Sequence, residues 1–214
     1  MKSEKRLIPL EEVENEILVV NSRFIASLAP AKSVEEAREY IAGIKRRYPD
    51  ATHNVPAFVI GHGKSLITHC SDDGEPSGTS GRPALAVLQG SGLGNVVVVV
   101  TRYFGGTKLG TGGLVKAYGD AVREILPLVK LAELVETVTL AFTIPYNLYE
   151  LCVRLIESNN GNILDKVFAV EVDLLVQFKV ENEDSFRTDL VELCKGQVEI
   201  VEIERNPESV FPVS

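Results

Sequence analysis

The sequence predicts an α+β protein in two domains, and three observations carry that prediction. The spacing of apolar residues alternates between the period of a strand and that of a helix along the whole chain. Charge is divided: residues 1–131 hold 16 Lys+Arg and 14 Asp+Glu, whereas residues 132–214 hold 6 and 16. Glycine is divided too, since 14 of the 17 glycines lie between Gly61 and Gly119. The expected domains are residues 1–133 and 134–206, followed by a loose tail, 207–214. The composition of the 214 residues, 45% hydrophobic and 24% charged, is that of a globular chain able to build real cores.

After a charged leader, residues 17–20 and 23–28 read as two strands of a hairpin around Asn21-Ser22. Ser33 followed by Glu36 is a capping box, and Val34, Ala37, Ile41 and Ile44 recur at helical spacing until Pro49-Asp50. Residues 55–61 and 64–70, separated by Gly61-His62-Gly63, read as a second hairpin. A polar loop and a short helix, 82–89, come next. Five consecutive valines, Val96 to Val100, read as a strand buried on both faces. A second glycine loop then leads to a helix whose Leu114, Tyr118, Ala121, Val122, Ile125 and Val129 form one apolar stripe. The first domain is therefore expected to be a mixed sheet with helices packed on it.

In the acidic half, Val138, Leu140, Phe142 and Ile144 alternate as a strand, and Leu148, Leu151, Cys152, Leu155 and Ile156 follow as a helix ended by Asn159-Asn160-Gly161. Two strands follow, the second placing Val170, Val172, Leu174, Val176, Phe178 and Val180 on one face. Then come a helix through Phe186, Leu190, Leu193 and Cys194 and a last strand, 198–203. This βαββαβ order is that of a ferredoxin-like domain.

No stretch approaches the roughly 18 apolar residues of a membrane helix, and MKSEKRLIPLEEVENE is too charged for a signal-peptide core. A cytoplasmic protein with no membrane partner is expected. Cys70, Cys152 and Cys194 stand too far apart for a CxxC pair, which argues against structural zinc and a disulfide framework. No metal and no cofactor are expected.

The two glycine loops carry the candidate chemistry. The first, SDDGEPSGTSGRP (71–83), runs into a helix that Ser80 or Thr79 can cap and Pro83 can open, with Ser77 in the loop and Arg82 adding positive charge at the same end. Free N–H groups and the helix dipole there suit an anion. The blander reading is that Asp72, Ser77 and Thr79 only satisfy their own loop. In the second loop Thr111 is a candidate cap, Arg102, Lys108 and Lys116 add cations, and Tyr103 and Phe104 offer surfaces on which a base can stack. The alternative places both aromatics in the core. Catalytic signatures fail: Gly105 and Gly110 have P-loop spacing, but Thr111 stands where Lys is required, and no GxGxxG, HExxH or GxSxG occurs. His53, Asp72, Asp73 and Glu75 form a candidate polar or acid/base cluster.

Together, SDDGEPSGTSGRP (71–83) and VVVVTRYFGGTKLGTGGLVKAY (97–118) resemble the paired signature of the IMPACT/YigZ family, and the resemblance runs over most of residues 15–130. It implies that the first domain has the fold of a ribosomal-protein domain shared with part of elongation factor G. It implies that the second is like the C-terminal domain of the bacterial YigZ-type members. Eukaryotic members are translation regulators that compete for the activator of a kinase through an extra N-terminal domain. With only about fifteen residues ahead of the first strand, that mechanism is not expected to transfer. What the resemblance implies is a link to translation and loops that bind nucleic acid or a ribosomal component.

The leading expectation is a non-enzymatic factor binding RNA or the ribosome through a basic face built from Arg82, Arg102, Lys108 and Lys116, with the acidic domain available to a protein partner. The alternative is an enzyme acting on a phosphorylated small molecule at the same anion site. A pI near 5.0 counts against a strong nucleic-acid binder, since binding domains of that kind are basic.

Overall fold

The computed structural model describes residues 5–63 and 65–212. The chain divides into two compact units, one of residues up to Glu133 and one of Leu134–Phe211. The first contains β1 (Leu7–Pro9), β2 (Val13–Val19), β3 (Ser22–Pro30), α1 (Val34–Arg47), β4 (His53–Ile60), β5 (Ile67–Cys70), α2 (Gly81–Gly90), β6 (Val96–Tyr103), α3 (Gly110–Ile125) and the start of β7 (Leu131–Ile144). The second holds the rest of β7, α4 (Tyr149–Ser158), β8 (Asn162–Phe168), β9 (Val172–Lys179), α5 (Glu183–Leu193) and β10 (Ile200–Pro212). No helix among the described residues is long and apolar enough to cross a membrane.

The five-stranded sheet of the first unit has the order β2-β3-β6-β4-β5. Every pairing in it is antiparallel, so the sheet is not mixed. The reason is β6. Helix α1 carries the chain from β3 to β4, a crossover that leaves those strands parallel to each other; β6 inserts between them and runs against both. The valine run becomes the central strand. Val96, Val98 and Val100 pack under α2 and α3 with Ala84, Leu88, Leu114 and Tyr118. Val97 faces the opposite side with Ala37, Phe58 and Ile60, where α1 covers the sheet. Burial of such side chains contributes roughly 1.5–3 kcal/mol each.

Local signals mostly hold, with shifts. The first hairpin turns on Val20-Asn21, at φ 46° and 67°, one residue earlier than expected. Ser33 Oγ accepts the Glu36 N–H at 3.1 Å, while the Glu36 carboxylate reaches past the cap to the Lys32 N–H at 2.7 Å. The strand expected from residue 64 starts at Ile67, and Lys64 lies outside the described residues. Helix α3 stops at Ile125; Val129 joins the same core from beyond a 3-10 turn.

In the second unit β10 pairs β7, β7 pairs β9 and β9 pairs β8, the strand arrangement of a ferredoxin-like sheet. Val138, Leu140, Phe142 and Ile144 meet Val172, Leu174, Val176 and Phe178 in one core closed by Cys152, Ile156, Phe186 and Leu190. Burial pushes the Cys152 thiol up to about 12, so it serves as a core residue rather than a reactive thiol. Two expectations are corrected. Val170 is 94% exposed, because β9 begins only at Val172. Of the stretch read as a loose tail, the described residues 207–212 are strand: β10 runs through Pro212, with buried Ser209 hydrogen-bonded to Thr137 at 2.6 Å, and residues 213–214 lie outside the described residues.

Candidate binding pocket

The pocket forms where β6 leaves the sheet. Arg102, next to last in β6, stands in register with His53 at the start of β4 and with Phe24 of β3. Its guanidinium lies over the rings of Phe24 and Phe104, at 5.4 and 5.5 Å. Arg102 is 5% exposed, which corrects its reading as a cation of a surface loop. Its partner is Glu75, 8% exposed, with Arg102 Nη1 donating to Glu75 Oε1 at 2.6 Å. A second donor reaches the same oxygen: the hydroxyl of Tyr118, wholly buried in α3, at 2.8 Å. Burial and that hydrogen bond push the Tyr118 phenol far above its ordinary value, so it stays a neutral donor.

The first glycine loop delivers Glu75 through a tight turn, with Asp73 and Gly74 both at positive φ, 46° and 90°. Asp73 fastens that turn. Its carboxylate accepts from the Asn54 N–H at 2.7 Å and from Lys45 Nζ at 2.6 Å, and its carbonyl oxygen lies 2.7 Å from His53 Nδ1. His53 Nε2 then sits 3.8 Å from the other Glu75 oxygen. Thr52, His53, Glu75, Arg102, Phe104, Lys108 and Thr111 line a cavity of about 390 Å³, and Lys108 is shared with a neighbouring cleft of about 370 Å³ that Lys116 also lines.

Of the four residues in the expected acid/base cluster, His53, Asp73 and Glu75 come together, and Asp72 does not join them. Its carboxylate instead takes the N–H groups of Gly78, Ser80 and Gly81 at 2.8–3.2 Å and the Ser80 hydroxyl at 2.8 Å. The N-terminus of α2 therefore already holds an anion, one belonging to the protein. Ser80 donates to it rather than capping, Thr79 donates to the Pro76 carbonyl at 2.6 Å, and Ser77 and Arg82 stay exposed. Thr111 lies inside the first turn of α3, whose N-cap is Leu109, so it is not the cap. Tyr103 points elsewhere: its hydroxyl donates to Asp50 at 2.9 Å and Arg23 lies over its ring. Tyr118, read only as part of an apolar stripe, is the residue missed. A phenol at a wholly buried position needs a partner for its hydroxyl, and that was the available signal.

Burial pushes the Asp72 carboxyl up, but the donors from Gly78, Gly81 and Ser80 outweigh it and hold the group below the usual carboxylate range. Because the folded value is depressed, the stability it adds is complete above the ordinary Asp value of about 4 and is lost as pH falls through the folded value. Asp72→Ala is expected to cost about 1–3 kcal/mol at neutral pH and to flatten the acid limb, checked by urea unfolding between pH 3 and 7. An unchanged acid limb would count against this role.

Residues 20–126 match the family model for the Impact N-terminal domain, half of the chain. The chain belongs to the IMPACT family. Residues 142–197 of this IMPACT-family chain match a second model, described as a domain of unknown function, DUF1949. The chain is 36% identical over 204 residues to the IMPACT family member YigZ of Escherichia coli strain K12, an alignment covering 94% of this chain and 99% of YigZ. It is 38% identical to an IMPACT family member of Haemophilus influenzae, over 91% of this chain and 95% of that one. A crystal structure described as that of a hypothetical protein superimposes with a TM-score of 0.61 at 34% identity, covering 94% of this chain and 98% of the other. Mouse Protein IMPACT is 32% identical over 93 residues, 42% of this chain and 29% of its own length.

Proposed function

We propose that this IMPACT-family protein binds single-stranded RNA, free or within the ribosome, and acts in the cytoplasm as a regulator of translation without need of a cofactor. The observation that carries this reading is the pair of cavities sharing Lys108. Exposed Lys108 and Lys116 line them in succession, and Phe104, 47% exposed, stands at the first. A base stacked on Phe104 would set its phosphate toward Lys108 and the next toward Lys116. Arg102 contributes from below by holding the Phe104 ring, not as a surface charge. The net charge of +2 over residues 1–131, against −10 beyond, places the favourable potential on this half of the chain. The acidic second unit is left for a protein partner.

The test is fluorescence anisotropy of a short single-stranded RNA over a salt series, comparing the wild type with Lys108→Glu/Lys116→Glu. Both side chains are exposed, so the variant is expected to fold. With about 0.7 in the log–log salt slope for each phosphate neutralised, the slope should fall by about 1.4 and the affinity by at least about tenfold. Unchanged affinity and slope would sink the reading. Thermal stabilisation by a phosphorylated small molecule in a protein that ignores RNA would favour the enzymatic alternative.

A further inference from the structure

We propose that the pocket also cleaves the RNA it binds, by attack of a ribose 2′-hydroxyl on the adjacent phosphodiester with His53 as general base. The inference rests on the RNA-binding reading and adds an activity to the same site.

The imidazole is set up for one task. The Asp73 carbonyl oxygen, 2.7 Å from Nδ1, can only accept, so Nδ1 carries the hydrogen and Nε2 keeps its lone pair. Among the described residues no group donates to that lone pair: the charged oxygen beside it, Glu75 Oε2, lies 3.8 Å away and, as a carboxylate, has no hydrogen to give. The ring is reachable, since its side chain is 19% exposed and it lines the cavity with Lys108 and Thr111. Glu75 is held from behind, because Arg102 and Tyr118 both donate to Oε1 while no described residue donates to Oε2. A proton taken up in the reaction sits on Nε2, which lies 3.8 Å from Glu75 Oε2. A final observation concerns the ligand. Lys108, exposed on the same cavity, is the cation open to a phosphoryl oxygen, while Arg102, its side chain 6% exposed, holds Glu75 from behind.

The step balances with RNA and water alone. His53 Nε2 takes the 2′-hydroxyl proton as the 2′-oxygen forms its bond to phosphorus. The bond from phosphorus to the 5′-oxygen breaks, and that oxygen leaves with the electron pair and takes a proton from water. His53 returns its proton to the hydroxide so formed. The products are a 2′,3′-cyclic phosphate and a 5′-hydroxyl, with Lys108 offsetting charge on the phosphoryl oxygens.

The experiment has two arms on the full chain. Binding is measured with fully 2′-O-methylated RNA, which lacks the nucleophile. Cleavage is measured with the unmodified RNA of the same sequence at saturating protein, in chelator, so that affinity does not enter the rate. Cyclic-phosphate ends are expected, with cleavage stopped at a single 2′-deoxy position. His53→Asn preserves a donor for the Asp73 carbonyl but removes Nε2, and should slow cleavage about 100-fold or more. A thermal melt and circular dichroism show that this variant is folded, and free imidazole should restore part of the rate. Bound but intact RNA overturns the cleavage proposal and leaves the binding reading standing, as does a folded His53→Asn cleaving at the wild-type rate. Failure to bind the methylated RNA overturns both.

Discussion

Arg102→Leu is expected to destabilise the protein by about 3–5 kcal/mol, because it strands the buried Glu75 carboxylate that the guanidinium meets at 2.6 Å. Among the described residues Glu75 then keeps the Tyr118 hydroxyl as its side-chain donor, a neutral group in place of a charge-assisted bond. The guanidinium also lies over both the Phe24 and the Phe104 rings, contacts that leucine cannot replace in kind. Replacing both partners by apolar residues, as in Arg102→Leu/Glu75→Leu, is expected to be milder than the single change, since it removes the uncompensated charge. Urea unfolding of the two variants and the wild type, followed by circular dichroism, decides the matter. A single variant within 1 kcal/mol of wild type, or a double variant no better than the single, would show that the pair is not a closed buried unit. Reversing Arg102 to Glu would therefore report on folding rather than on RNA binding, which is why the binding test uses Lys108 and Lys116.

Gly105→Ala is expected to cost about 3 kcal/mol or more, and RNA binding with it. A Cβ at Gly105 would fall 2.0 Å from the Asn21 carbonyl oxygen and 2.6 Å from the Ser22 nitrogen, both backbone atoms of the β2–β3 turn. Neither can rotate away, so the turn and the second glycine loop must separate. The Gly105 N–H would then lose the Ser22 hydroxyl at 3.2 Å, and Phe104 would be displaced from Arg102. Gly112 provides the contrast, for a Cβ there meets nothing within 4 Å inside α3. Gly112→Ala is expected to be neutral or stabilising by up to about 1 kcal/mol. Thermal melts of both variants distinguish close approach from simple loop flexibility; equal melting temperatures would overturn the steric account.

Much of the fold was legible along the chain. The unbroken valine run marks the central strand, since only a strand covered on both faces tolerates apolar residues at every position. The helix stripes and the alternating strands of the acidic half give the ferredoxin-like order for the same reason. The sheet's antiparallel character was not legible, because it depends on β6 entering between two strands joined earlier in the chain. Asp72 was legible only through the blander reading, in which it satisfies its own loop; Ser80 and Thr79 were the expected caps, and that the Asp72 carboxylate takes the α2 terminus was decided by the fold of the loop.

Charges in the pocket could not be placed in this way. Arg102 and Lys108 stand in one glycine-rich stretch and look alike as cations, yet one is buried and the other exposed. The difference lies with Glu75, 27 residues before Arg102, and Tyr118, 43 residues after Glu75. Apolar periodicity is local, so residues a few positions apart reveal which face of an element turns inward. A buried charge is tolerated only where an opposite charge and further donors meet it in space, and the residues that do so here are brought together by a strand, a helix and a loop far apart in the chain: Arg102 on β6, Tyr118 on α3 and Glu75 in the first glycine loop.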